Sequence, residues 1–221
     1  YKDALGNAVS VDSLNLGGDP NIIVKKGQPF GEFSLYDFQR DAQGNIVKDK
    51  DGLPVYNSYS SIDKPLQANY TFGISNSFGY KNFSLSFLIN ARVGGYVYSK
   101  TQQVLDEYGL SVQSARNRNA GSQAYYQRIS STSQDGTAYL YSATNIRLQE
   151  LSFGYSIPGK IFNNKIKKLQ ISFIARNFWM MKNNAPFDPE MTMLTGNSFQ
   201  GTDYFSTPTL RSFGVSLNVG F

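Results

Sequence analysis

The chain has 221 residues, 40% hydrophobic and 14% aromatic, and its charged fraction of 17% lies below the roughly 25% of soluble domains. Cysteine and histidine are absent, which excludes a disulfide framework and a thiol nucleophile and removes the commonest general base and transition-metal ligand, so catalysis is not expected. The net charge is +5, partly gathered in Lys160, Lys165, Lys167 and Lys168, which read as a basic turn between strands rather than a nucleic-acid surface.

No run of about 18 apolar residues occurs, so a transmembrane helix is excluded. The mean hydropathy of −0.36 resembles that of a soluble protein, but alternating strands hide their apolar face from averaging. The chain opens on Tyr1 without Met or a leader pattern, so a fragment of a longer exported protein is expected.

Ile22-Ile23-Val24 and Glu32–Phe38 read as two strands joined through Lys26-Gly27-Gln28-Pro29. A long connection follows over residues 41–66. Within it, Asp49-Lys50-Asp51-Gly52 has the spaced carboxylates that open a calcium loop. The closing glutamate of such a loop is missing, and a solvated turn fits better. No cofactor is expected, with calcium in the external loops the one weak alternative.

From Ala68, side chains alternate: Ala68, Tyr70, Phe72, Ile74, then Asn76 and Phe78 on one face, Asn69, Thr71, Gly73, Ser75 and Ser77 on the other. Gly79-Tyr80-Lys81 has the composition of a tight turn. The next strand sets Phe83, Leu85, Phe87, Ile89 and Ala91 against Ser84, Ser86 and Asn90, with Leu88 as the exception. A second long connection covers 94–143, and its stretch 112–137 is polar enough to be a mobile loop. Tyr96 and Tyr98 at its start offer flat apolar rings to a solute, or pack within the loop.

A third strand runs from about residue 145 to 157. Leu151, Phe153, Tyr155 and Ile157 share a face, Ile146 and Leu148 fall out of phase, and a β-bulge near Gln149-Glu150 restores register. Arg147 and Arg211 nominally share the apolar register, which places them near strand ends where a long side chain snorkels. The fourth strand sets Leu169, Ile171, Phe173 and Ala175 against Gln170, Ser172 and Arg176. Trp179 keeps the apolar phase, which favours an interfacial girdle position over stacking on a sugar ring. The connection 180–208 holds Asp188-Pro189-Glu190, better read as a rigid loop than an acid–base pair. Tyr204 and Phe205 there are further candidate contacts for a solute or a lid.

The last strand sets Phe213, Val215, Leu217, Val219 and Phe221 against Ser212, Gly214, Ser216, Asn218 and Gly220. Its apolar residues span about eight steps of roughly 3.4 Å, a height of roughly 20 Å at a tilt of about 40°, close to the apolar band of an outer-membrane barrel. Short and long connections alternate strictly, as periplasmic turns and external loops do in such barrels. Beyond the strand period no internal repeat is apparent. The fold class expected is all-β, an antiparallel transmembrane β-barrel, with about seven strands in this piece.

Several segments occur in a telling order: Val24 to Gly31, Lys64 to Gly73 followed by Tyr80-Lys81-Asn82-Phe83, Asn145 to Pro158, Arg176-Asn177-Phe178, Asp188-Pro189-Glu190, and Phe213 to Phe221. Together they resemble the C-terminal region of the SusC/RagA family of TonB-dependent outer-membrane transporters, although that family more often has Leu where Phe178 stands. The resemblance implies a barrel of about 22 strands, so that roughly fifteen strands, the plug domain and the TonB-contacting segment lie outside this chain. It implies energised import of oligosaccharides or peptides through the outer membrane of a Gram-negative, Bacteroidota-like bacterium. The partners it implies are a SusD-like surface lipoprotein, the TonB complex through the missing N-terminal part, and outer-membrane lipid. Phe213, Val215, Leu217, Val219 and Phe221 look like the signal read by the barrel-assembly machinery. Two rivals stand beside this reading: a stand-alone structural or adhesive barrel, and a soluble β-sandwich carbohydrate-binding module.

Overall fold

The computed structural model describes residues 12–116, 120–131, 136–162, 166–191, 193–194 and 196–220. In chain order the elements are β1 (Ser13–Gly17), β2 (Ile22–Lys25), β3 (Glu32–Phe38), β4 (Tyr56–Pro65), β5 (Tyr70–Tyr80), β6 (Phe83–Val93), β7 (Tyr96–Ser99), α1 (Lys100–Glu107), α2 (Val112–Arg116), α3 (Ala120–Ile129), β8 (Leu140–Ser142), β9 (Asn145–Pro158), β10 (Lys168–Asn183), β11 (Thr202–Asp203) and β12 (Ser212–Gly220). They form two compact units. One is built from the chain up to Ala68 with Gly95–Ser142 and Glu190–Thr207; the other from Asn69–Gly94, Ala143–Pro189 and the chain from Pro208.

The second unit is a five-stranded antiparallel sheet in the order β12-β10-β9-β6-β5. Strand alternation becomes a two-faced sheet because the register keeps like with like. Phe78, Leu85, Phe153, Phe173 and Val215 stand opposite one another in a row across all five strands. One step along lies Gly79, Ser84, Gly154, Ser172 and Ser216, a row without a single apolar side chain larger than glycine. A Cβ at Gly154 would stand 2.5 Å from Ser84 Oγ and 2.7 Å from Ser172 Oγ, so a larger residue there would have to turn both hydroxyls aside.

The bulge falls where the phase of the sequence breaks. Leu88 pairs with Glu150 and Ile89 with Leu148, leaving Gln149 as the extra residue. Its side-chain carbonyl accepts a hydrogen bond from the Asn90 amide. The bulge returns Leu148 and Ile146 to the apolar face and turns Arg147 to the polar one, opposite Asn90. Arg147 therefore does not snorkel from an apolar row: it is buried and ion-paired. Arg211 precedes β12 and is exposed. A second irregularity in β10 is centred on Asn177, whose φ of 49° is left-handed and whose side-chain amide donates to the Leu210 carbonyl at 3.1 Å.

The strand ends are staggered. The β5–β6 hairpin closes at the pair Tyr80–Phe83, and Phe83 lies opposite Tyr155, yet β9 runs three residues further before Pro158 meets Lys168. Three residues are about 10 Å along a strand and two hairpins are about 9.6 Å apart across it, a slope of about 45°, as in a tilted barrel wall.

The first unit contains an antiparallel sheet, β1-β2-β3-β4, and a small sheet, β11-β7-β8, in which β11 and β7 are parallel. The strands expected at 22–24 and 32–38 are β2 and β3, and they belong to this sheet, not to the five-stranded one. Ile22, Phe33, Leu35, Leu66, Tyr98, Ile129 and Tyr139 form its core. The stretch 112–137, expected as a mobile loop, carries α2 and α3 among its described residues, and helix α3 sends Ile129 into the core with Tyr126 packed beside it.

Residues 40–55 hold a repeat that strand alternation hides. Arg40-Asp41-Ala42-Gln43-Gly44-Asn45-Ile46-Val47 is followed by Lys48-Asp49-Lys50-Asp51-Gly52-Leu53-Pro54-Val55, and both copies make the same turn. Asp41 Oδ1 accepts the amides of Gln43 and Asn45, and Asp49 Oδ1 those of Asp51 and Leu53. Gly44 and Gly52 take the left-handed φ values of 84° and 79° that the turn needs.

Candidate functional site

In the five-stranded unit the candidate site is the sheet itself. On its apolar face Phe213, Val215 and Leu217 are more than half exposed, with Val215 at 74%, although they stand in register with Ala175, Phe173 and Ile171. Phe213 stacks on Phe173 with ring centroids 6.0 Å apart and meets the edge of Phe178 at 6.2 Å. Val219 completes the described part of that strand's apolar face; Phe221 lies outside the described residues, as does Lys165 of the basic turn. In water such a face would need a second layer to cover it.

Trp179 lies opposite Leu148, on the apolar face and mostly exposed. It stands 11 positions beyond Lys168, about 36 Å of strand or roughly 25 Å of height at that tilt, which is the height of a barrel's apolar band. At the other end Tyr80, Phe83 and Tyr155 form an aromatic row across three strands, with Phe83 and Tyr155 ring centroids 4.8 Å apart. Two aromatic levels one band-height apart have the spacing of interfacial girdles.

The polar face carries Arg176 and Glu150 at 3.4 Å, both well exposed, on adjacent strands. Near the opposite ends of the strands, Arg147 donates to Asp188 at 2.6 Å and to Thr209 Oγ1 at 3.0 Å, and Thr209 also hydrogen-bonds Asp188. Asp188 thus holds a buried arginine.

The first unit places the loop aromatics unevenly. Tyr98 is fully buried, with Phe33 and Tyr139 against its ring and its hydroxyl donating to Gln103 Oε1 at 3.2 Å, so no ring face is left for a solute. Tyr96 is half-buried beneath Lys64, whose ammonium lies 5.5 Å from the ring centre. Tyr204 and Phe205 are both exposed and meet edge to face at 5.2 Å. The Phe205 amide donates to Thr101 Oγ1 at 2.6 Å, which fixes this aromatic pair against α1.

Tyr204 lines an open pocket of about 590 Å³ with Tyr108, Glu107, Lys100, Asp19 and Met193. That is the size of a small-molecule site. Lys100 reaches Asp19 at 2.6 Å, and Tyr108 caps the end of α1 with its ring exposed. The sequence reading passes over Tyr108, though the Tyr108-Gly109 pair after a helical stretch was a visible signal of an exposed helix end.

Helix α1 is fixed from below by polar groups. Its N-cap Ser99 accepts the Gln102 amide, and the face it buries is Lys100, Gln103 and Asp106. Tyr139 donates to Asp106 at 3.0 Å and Tyr141 to Gln102 at 2.6 Å. Burial first, and the Asp106 carboxylate second, raise both phenols above their usual range, so they stay neutral donors. Asp49, the leading residue of the candidate calcium loop, has its oxygens on two backbone amides and on Arg128 at 3.1 Å.

A tilted antiparallel sheet with one apolar face, one polar Gly/Ser-rich face, an aromatic row at one end and Trp179 at the other defines the class: wall strands of a transmembrane β-barrel. No family model matches the chain. It is 24% identical over 238 residues to TonB-dependent receptor P3 of Formosa agariphila, covering 90% of this chain and 23% of that protein. It is 26% identical over 195 residues to TonB-dependent receptor P39 of the same organism, covering 80% and 18%. Among solved structures, the RagAB peptide importer in its closed-closed state superposes with a TM-score of 0.66 at 18% identity, over 95% of this chain and 25% of that one. The open-open state gives 0.67 at 17% identity, over 96% and 24%. The chain is thus similar in sequence to a segment of two TonB-dependent receptors and shares the fold of the matching part of the RagAB structures, and it spans a quarter or less of the length of the relatives it matches.

Proposed function

We propose that the chain supplies wall strands and external loop structure to a TonB-dependent importer of oligosaccharides or peptides in the outer membrane of a Gram-negative, Bacteroidota-like bacterium. The single observation that carries this is the pair of rows across the five strands: Phe78, Leu85, Phe153, Phe173 and Val215 for lipid, Gly79, Ser84, Gly154, Ser172 and Ser216 for a hydrated lumen. Receptors named for TonB dependence among the relatives support energised uptake. In this reading TonB acts through parts of the protein outside this chain, a SusD-like lipoprotein closes the external mouth, and no cofactor or catalytic group is needed.

The pocket bearing Tyr204 and Tyr108 is the proposed solute contact, since it joins two exposed rings to the charged side chains Lys100, Asp19 and Glu107. Such a mixture suits a peptide as well as a sugar, and the likeness to a peptide importer favours the peptide. The test is uptake of labelled peptides and oligosaccharides by cells carrying the full-length protein, with and without TonB. Accumulation of one class that disappears without TonB supports the importer. Cell adhesion without uptake would favour the stand-alone barrel, and solubility of the full-length protein without detergent would favour the β-sandwich module.

A further inference from the structure

The strand ends at the short turns carry charge of one sign. Lys81 sits in the β5–β6 turn, Lys160 in the turn after β9, and Lys167 and Lys168 at the start of β10, all four exposed. The register puts both turns at the same end of the sheet. The acidic side chains of this unit's sequence are Glu150 and Asp188, and each is ion-paired to an arginine elsewhere. Glu150 lies eight residues up β9 from Pro158, roughly 26 Å of strand, which is more than a Debye length of about 8 Å.

The lysines also have the right neighbours. The aromatic row Tyr80, Phe83 and Tyr155 adjoins them, and Lys81 stands 5.3 Å from the centre of the Tyr80 ring. Ile161, exposed beside Lys160, adds an apolar side chain at the same level. Rings at the boundary of the apolar band with ammonium groups just outside it are the arrangement that meets phospholipid headgroups. A solvated turn would need neither the rings nor the single sign of charge.

We infer that this rim, Lys81, Lys160, Lys167 and Lys168, binds the anionic phospholipid headgroups of the leaflet on the short-turn side of the membrane. The inference rests on the wall reading, and lysines near an anionic surface each add to the preference for anionic headgroups. The test uses the full-length protein, with heat-modifiable migration recording the folded barrel separately. Native mass spectrometry then compares retained phosphatidylglycerol with phosphatidylcholine. The wild type is expected to prefer phosphatidylglycerol by about tenfold, the K81Q/K160Q/K167Q/K168Q variant to fall to near parity, and the matching arginine variant to keep the preference. Should the glutamine variant not fold, loss of the wild-type preference at high salt gives the same answer. An undiminished preference in the glutamine variant, a wild type without preference, or displacement of the lipid by excess inorganic phosphate would overturn the inference. A wild type that never shows heat-modifiable migration would instead overturn the wall reading beneath it.

Discussion

Arg147 on β9 and Asp188 in the segment after β10 meet at 2.6 Å with both side chains buried. Thr209 bonds both of them, so one ion pair gathers a wall strand, the start of one long connection and its return. Removing one member of a buried pair strands the other charge, at a cost of about 3–5 kcal/mol. Arg147→Ala and Asp188→Asn are each expected to lower the temperature at which the full-length barrel loses its heat-modifiable form. The Arg147→Met, Asp188→Leu double variant is expected to recover much of the loss.

The sheet should answer to charge on one face and not the other. An arginine on the lipid face near mid-band costs about 2–4 kcal/mol in an outer-membrane barrel. Val215→Arg is expected to reduce folding into bilayers by that amount, read from urea titrations of the full-length protein. Ser216→Arg, one residue on, should cost under about 1 kcal/mol, because its side chain meets water.

The two aspartate turns should be acid-sensitive. Asp41 is held below the ordinary 3.8 by the Asn45 amide first, and Asp49 by the Leu53 amide first, with Arg128 adding to the latter. The charged form is therefore favoured in the folded turn. Its stabilisation is complete above the ordinary carboxylate value and is lost as pH falls through the lower folded one. Amide protection of Asn45 and Leu53, corrected for intrinsic exchange, is expected to fall below about pH 4. Asp41→Asn and Asp49→Asn should remove that dependence.

Tyr204 and Tyr108 should matter for solute and Tyr98 for folding. Replacing either exposed ring by alanine is expected to weaken solute binding to the full-length transporter about three- to tenfold by calorimetry, with stability unchanged. Tyr98→Ala removes a fully buried ring and should cost about 3–5 kcal/mol.

The wall was legible because its signal is local. Each of its strands alternates by itself, and the phase slip between Leu148 and Leu151 announced the bulge at Gln149. Arg147 was misplaced only because its register was taken from the apolar residues beyond that bulge. The first unit was harder to read, for a different reason. Helix α1 buries Lys100, Gln103 and Asp106, so its inward face has no apolar period to find. Tyr98 looked like the exposed Tyr204 and Phe205, because nothing in the local sequence tells a ring under Phe33 and Tyr139 from one facing water. The tandem turns at 40–55 were visible as an eight-residue repeat, which a search for strand alternation passes over.

The most direct test is a cysteine scan of residues 213–219, made simple in this segment by the absence of native cysteine. In the full-length protein reconstituted into vesicles, each thiol is challenged with a water-soluble maleimide, and an attached fluorophore is challenged with a lipid-borne quencher. Positions 213, 215, 217 and 219 are expected to be quenched from the lipid and slow with the maleimide, and 214, 216 and 218 the reverse. A smooth profile without that two-residue period, or protection of both sets, would contradict a wall between hydrocarbon and water.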